Sequence, residues 1–138
     1  MERENYYKMY PEYKFAIVKF QSKILTIEEA ERINYEYKIN PLYSQIEKLL
    51  VIIDEDSTPQ FAIKDIDKLS SFYNNELQDN NHKDVVWLVS APLITALAHI
   101  FMSHTNDNSQ YCSTIVRAYE LLKITMDYTI FEKLINEY

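Results

Sequence analysis

There is no glycine anywhere in the chain. Loops that cradle phosphate need glycine for tight turns and close backbone approach. A Walker-type phosphate loop, a dinucleotide-binding fingerprint and a nucleophile elbow are therefore excluded in their usual forms. Turns have to be built from Asn, Asp, Ser and Pro. Cysteine is almost absent too. Cys112 stands alone, which allows no intramolecular disulfide and suits a reducing cytoplasm. Basic charge is in deficit: 14 Lys and Arg face 21 Asp and Glu, for a formal net charge of −7. Such a chain repels phosphate backbones and no Lys/Arg cluster breaks the pattern, so nucleic-acid binding is not expected. No apolar run approaches the length of a bilayer span, and residues 1–10 lack the apolar core of a targeting signal. The expected location is cytoplasmic.

What is present is a strong hydrophobic pattern. Apolar residues make up 47% of 138 residues, enough for one domain with a real core and too many for default disorder. Tyrosine is abundant, at 12 residues. Its ring can be buried while its hydroxyl stays wet, which suits element edges, but for most of them compositional drift is the expected reason. Residues 6–10 read as a short strand, residues 11–13 as a turn and residues 14–21 (KFAIVKFQ) as a second strand, together an antiparallel hairpin. Thr26 opens a capping box with Glu29, and the helix it starts stops before Asn40-Pro41. LLVII (49–53) and VVWLV (85–89) are apolar at every position, as strands buried on both faces are. Between them the spacing predicts a polar loop over 54–60 and a helix over 63–78. Ser90-Ala91-Pro92 starts a third helix, running to about His104. Residues 109–112 form a last strand, Ser113 caps a fourth helix to about Ile124, and 128–138 has helical spacing. The whole reads as an α/β domain spanning 1–138. Its core covers about 6–124 and a helical extension about 125–138. It carries a mostly parallel five-stranded sheet and four or five helices.

Several stretches resemble the SpoIIAA-like proteins of the STAS/SEC14-like fold. They are YYKMYPEYKFAIVKF (6–20), LLVIIDED (49–56), VSAPLITALAHIF (89–101) and YCSTIVRAYELL (111–122). The resemblance implies a βα superhelix with strands in roughly sequential order and helices mainly on one face. The best-known relatives are anti-sigma-factor antagonists switched by phosphorylation of a serine in an Asp-Ser-x-Gly-type motif. The corresponding stretch here, residues 61–69 (FAIKDIDKL), has no Ser, Thr or Gly, and Ser57 and Thr58 do not restore the motif. SEC14-type relatives hold lipids.

The chemistry-bearing residues are sparse. Asp54, Glu55 and Asp56 follow a parallel strand, where α/β folds place ligands. They fit either a Mg²⁺ site or loop hydrogen bonding and capping. His99 and His104 are five residues apart, so on a helix they point roughly 140° from each other and make no metal pair. His82 falls in a loop. Cys112 occupies an apolar strand position and reads as structural. Leu93 and Ile94, with Leu97 and Phe101, widen the apolar stripe of the third helix. Ile130, Phe131, Leu134 and Ile135 form a stripe that has to be buried on the chain's own sheet or on a second subunit. The expected function is a non-enzymatic domain that binds a protein partner, also as a homodimer, with no cofactor and no metal. Leu93, Ile94 and the C-terminal stripe are its candidate surface. The alternative is a binder of a small apolar, lipid-like molecule, held in an enclosed pocket. An enzyme would rest on the Asp54 to Asp56 cluster alone, with Asp54 and Asp56 as its polar-site candidates.

Overall fold

A computed structural model describes residues 4–60, 65, 84–103 and 108–136. Its elements in chain order are β1 (Tyr6–Tyr10), β2 (Phe15–Phe20), β3 (Ile24–Leu25), α1 (Ile27–Ile39), β4 (Lys48–Ile53), β5 (Thr58–Pro59), β6 (Asp84–Leu88), α2 (Pro92–Ser103), β7 (Asn108–Cys112), α3 (Ile115–Leu122) and α4 (Tyr128–Asn136). Five strands form one sheet in the order β1-β2-β4-β6-β7. The β1–β2 hairpin is antiparallel, and every later pairing in this sheet is parallel. The expected helix over 63–78 lies outside the described residues except for Asp65, which is helical. Among those described, no helix is long and apolar enough to cross a membrane.

Local chemistry sets the boundaries. Pro11–Tyr13 is a 3₁₀ turn closed by Lys14 in the left-handed region (φ 54°). The Lys14 carbonyl accepts the N–H groups of both Glu47 and Lys48, which holds the entry to β4 against the hairpin. Thr26 caps α1 by accepting the Glu29 N–H. The Glu29 carboxylate turns to Asn5 and Arg32. Asn40 goes extended before Pro41 and ends α1, and its side chain accepts the Leu42 N–H to start the 3₁₀ turn Pro41–Gln45. Thr114 caps α3, accepting the Arg117 N–H; the sequence pointed to Ser113. Lys123, also left-handed, ends that helix. The expectation that Asn, Asp, Ser and Pro make all the turns is thus corrected. Both positive-φ positions among the described residues are lysines.

Sequential strand order explains the layering. Connections of one hand that add strands in one direction drop their helices on one face. Ala16, Val18 and Phe20 of β2, Leu49 and Val51 of β4 and Val85 of β6 pack there against Ala30, Ile33 and Tyr37 of α1, with Leu97 of α2 alongside. The alternate residues, Phe15, Ile17, Leu50, Ile52, Val86 and Cys112, face the other way. Ala118 and Leu122 of α3, then Met126, Phe131 and Ile135 in and before α4, cover them. Helices therefore lie on both faces, not mainly on one. The apolar runs LLVII and VVWLV are explained, since each strand is buried twice.

The aromatics are sorted by face. Tyr37 meets Tyr7 and Tyr43 edge-on on the first. Phe15 lies between Tyr10 and Phe131 on the second, where Tyr119 also packs on Phe131. The Tyr119 hydroxyl donates to the Met126 carbonyl. Tyrosine here joins helices to sheet, which goes beyond trimming element edges.

Candidate functional site

The carboxyl ends of β2 and β4 carry a dense polar network. Asn5 is buried and uses its full amide capacity. Its Oδ1 accepts the N–H groups of Gln21 (2.7 Å) and Ser22 (2.9 Å), and its Nδ2 donates to Ser22 Oγ and to Glu29. Ser22 Oγ donates to the Ile24 carbonyl, and the buried Ser57 Oγ donates to the Ser22 carbonyl. The short parallel pair β3–β5 follows from this clamp. The hydrogen bond from Arg32 holds the Glu29 carboxyl below its ordinary range. Partial burial opposes that effect and Asn5 adds to it.

Asp54 belongs to this framework. Its side chain accepts the Asp56 N–H, its carbonyl accepts the Ser57 N–H, and its own N–H donates to Phe20. That is an Asx-turn leaving the sheet. Glu55 accepts a long hydrogen bond from Ser90 (3.4 Å). Among the described residues, no group of three or more His, Cys, Asp or Glu is placed to hold a metal ion. His99 is exposed and meets Tyr111 edge-on, while His82 and His104 lie outside the described residues. Cys112 is buried, and desolvation pushes its thiol up from the ordinary value.

The structure divides the expected interaction surface. Ile94 is buried with Val89 and Ala98. Phe131 and Ile135 are buried in the second-face core, and Leu134 packs beside them. Ile94, Phe131 and Ile135 thus belong to the chain's own interior and Leu134 is half-buried; the C-terminal stripe folds back on its own sheet. Ile130 remains 39% exposed. Leu93 falls in the first turn of α2, with its side chain outside the described residues, as is that of Phe101.

Two features were not read from the sequence. The first is an apolar surface on the outer side of α1. Tyr35 is 49% and Ile39 58% exposed, and they are one turn apart. Leu42 is exposed just beyond. The signal was available: Ala30, Ile33 and Tyr37 make the core stripe, and Tyr35 and Ile39 fall off it. The second is a recess of about 360 Å³ where the amino ends of β4 and β6 meet α3. Lys48, Asp84, Val86, Arg117, Glu120 and Lys123 are among its lining residues. Lys48 and Asp84, paired across the sheet by register, form a salt bridge at 2.5 Å. This lining is largely charged, unlike the apolar chamber that a lipid-like ligand needs.

Fold and surface together define an α/β domain with a mostly parallel mixed sheet of five strands, helices on both faces and an exposed apolar helix flank. No protein-family model, curated protein or solved structure matches the chain.

Proposed function

We propose that this chain is a non-enzymatic, STAS-like cytoplasmic domain that acts by binding a protein partner, a second copy of itself included, without a phospho-serine switch. The observation that carries this reading is the exposed flank of α1. A soluble surface helix normally turns charge outward, yet here Tyr35 and Ile39 stand at the solvent side, and Leu42 is exposed in the 3₁₀ turn that follows. Large aromatic and aliphatic side chains on a rigid helix are what protein interfaces use as anchors. The polar residues at the carboxyl ends of the strands are engaged in holding the backbone, which supports a structural task for Asp54. Sequential strand order and the antiparallel first hairpin support the SpoIIAA-like resemblance. The helix pair on the second face departs from what it implies. The stretch 61–69, where relatives carry the switch serine, lies outside the described residues apart from Asp65.

Native mass spectrometry of the protein purified gently from its own cells tests the reading, with Ile39→Glu run in parallel. A dimer or heterocomplex that dissociates in the variant is expected. A bare subunit, or a complex indifferent to position 39, would count against it. A stoichiometric lipid-like mass would replace it with the apolar-ligand alternative.

A further inference from the structure

The recess beside α3 lies on the opposite sheet face from α1 and is independent of the interface just described. Among the described residues, its lining includes Val85, Val86 and Leu121 together with the charged Lys48, Asp84, Arg117, Glu120 and Lys123. Lys48 and Asp84 neutralise each other. Arg117 and Lys123 are each three residues from Glu120 on α3 and its cap, a spacing at which ion pairs form readily on a helix. Neither cation forms one with any described residue. Among the described lining residues, three cations against two carboxylates leave a local excess of positive charge in a molecule whose formal net charge is −7. At physiological ionic strength, charges beyond roughly 8 Å are largely screened, so the local balance decides what the recess attracts.

We propose that this recess binds a small oxyanion-bearing molecule, one with a carboxylate or phosphate group on a compact body. Arg117 supplies the planar guanidinium fork that matches either group with two parallel hydrogen bonds, and Lys123 supplies a point charge. Gln110 offers an amide from β7, the neighbouring strand. The closed Lys48–Asp84 pair makes a rigid charged wall that contributes shape without competing for the anion. A volume of about 360 Å³ is near the lower end of small-molecule sites, about the space of a dozen waters. It is large enough to seat the anionic group and compact body of a small metabolite.

The test is a titration of the full-length, ¹⁵N-labelled protein with inorganic phosphate and, separately, with citrate. Amide chemical shifts are read against sodium chloride at matched ionic strength. Saturable shifts clustered at Val86, Gln110, Leu121 and Lys123 are expected for at least one probe. Saturation by phosphate alone or by citrate alone supports the proposal and identifies which group the recess prefers. In the R117Q/K123Q double variant the apparent Kd should rise at least tenfold, with the rest of the spectrum unchanged. Lys14→Gln, an exposed lysine at the hairpin turn, should leave it unaltered. Shifts no larger than those from sodium chloride, or shifts that persist in the double variant, would overturn the proposal.

Discussion

Single residues here do what glycine and charge pairs do elsewhere. Lys14 adopts a left-handed backbone that costs an L-residue with a β-carbon roughly 1 kcal/mol. Glycine would remove that strain but would widen the unfolded ensemble. Lys14→Gly is therefore expected to stabilise by about 0.5 kcal/mol, read from urea midpoints. Its exposed pairing with Glu47 (3.7 Å) is worth little, so losing it does not reverse the sign. Asn5 is the opposite case. Asn5→Leu strands the N–H groups of Gln21 and Ser22 and removes the donor to Glu29. A loss of about 2–4 kcal/mol is expected by the same measurement. Glu29 adds a pH dependence. Its folded carboxyl is lowered from 4.5, first by the hydrogen bond from Arg32. The unfolded chain therefore binds that proton more tightly. The stabilisation is present above 4.5 and is lost as the pH falls through the lowered folded value. Glu29→Gln should flatten the acid limb of the stability curve and leave its slope near neutrality alone.

At the level of elements, the sheet needs α3 and α4 because sequential strand order sends the crossover helices to one face only. Phe131 fills the centre of the second face against Phe15 and Tyr119. Phe131→Ala is expected to cost about 3–5 kcal/mol, measured by denaturant unfolding. This layer was half legible in the sequence. The spacing of Ile130, Phe131, Leu134 and Ile135 shows a buried stripe, but a periodicity states that a face is covered and not by what. β1, β2, β4 and β6 were legible because alternation and unbroken apolar runs are local signals. β3 and β5 were not, since two-residue strands have no period and depend on Asn5, Ser22 and Ser57 meeting in space. The helix cap at Thr114 was misplaced by one residue because Ser113 and Thr114 are both good caps and only the chain direction after β7 chooses between them. The recess was illegible for the same reason as the short strands. Lys48 and Asp84 are joined by strand register across 36 positions.

For the molecule as a whole, the question is whether association completes the fold or only uses it. Sheet faces left bare would tie folding to a second subunit, and the melting temperature would then rise with protein concentration. Here Ala30, Ile33 and Tyr37 close one face and Leu122, Phe131 and Ile135 close the other, all from the same chain. Tyr35, Ile39 and Leu42 lie outside both cores. An interface built on them adds to a structure that is already closed. In the Ile39→Glu variant, which cannot associate, the melting temperature is therefore expected to be constant over a hundredfold range of protein concentration, followed by circular dichroism. Ile39→Glu, on an exposed helix position, should change stability by less than about 0.5 kcal/mol while abolishing association. Phe131→Ala should do the reverse, lowering stability while leaving association intact at temperatures where the variant remains folded. An Ile39→Glu variant that unfolds, or one whose melting temperature still climbs with concentration, would mean that the α1 flank is not a separable surface on an already closed subunit. The binding surface would then have to be sought elsewhere, with Ile130 and Val116 on the α3–α4 layer, 39% and 54% exposed, as the next positions to substitute.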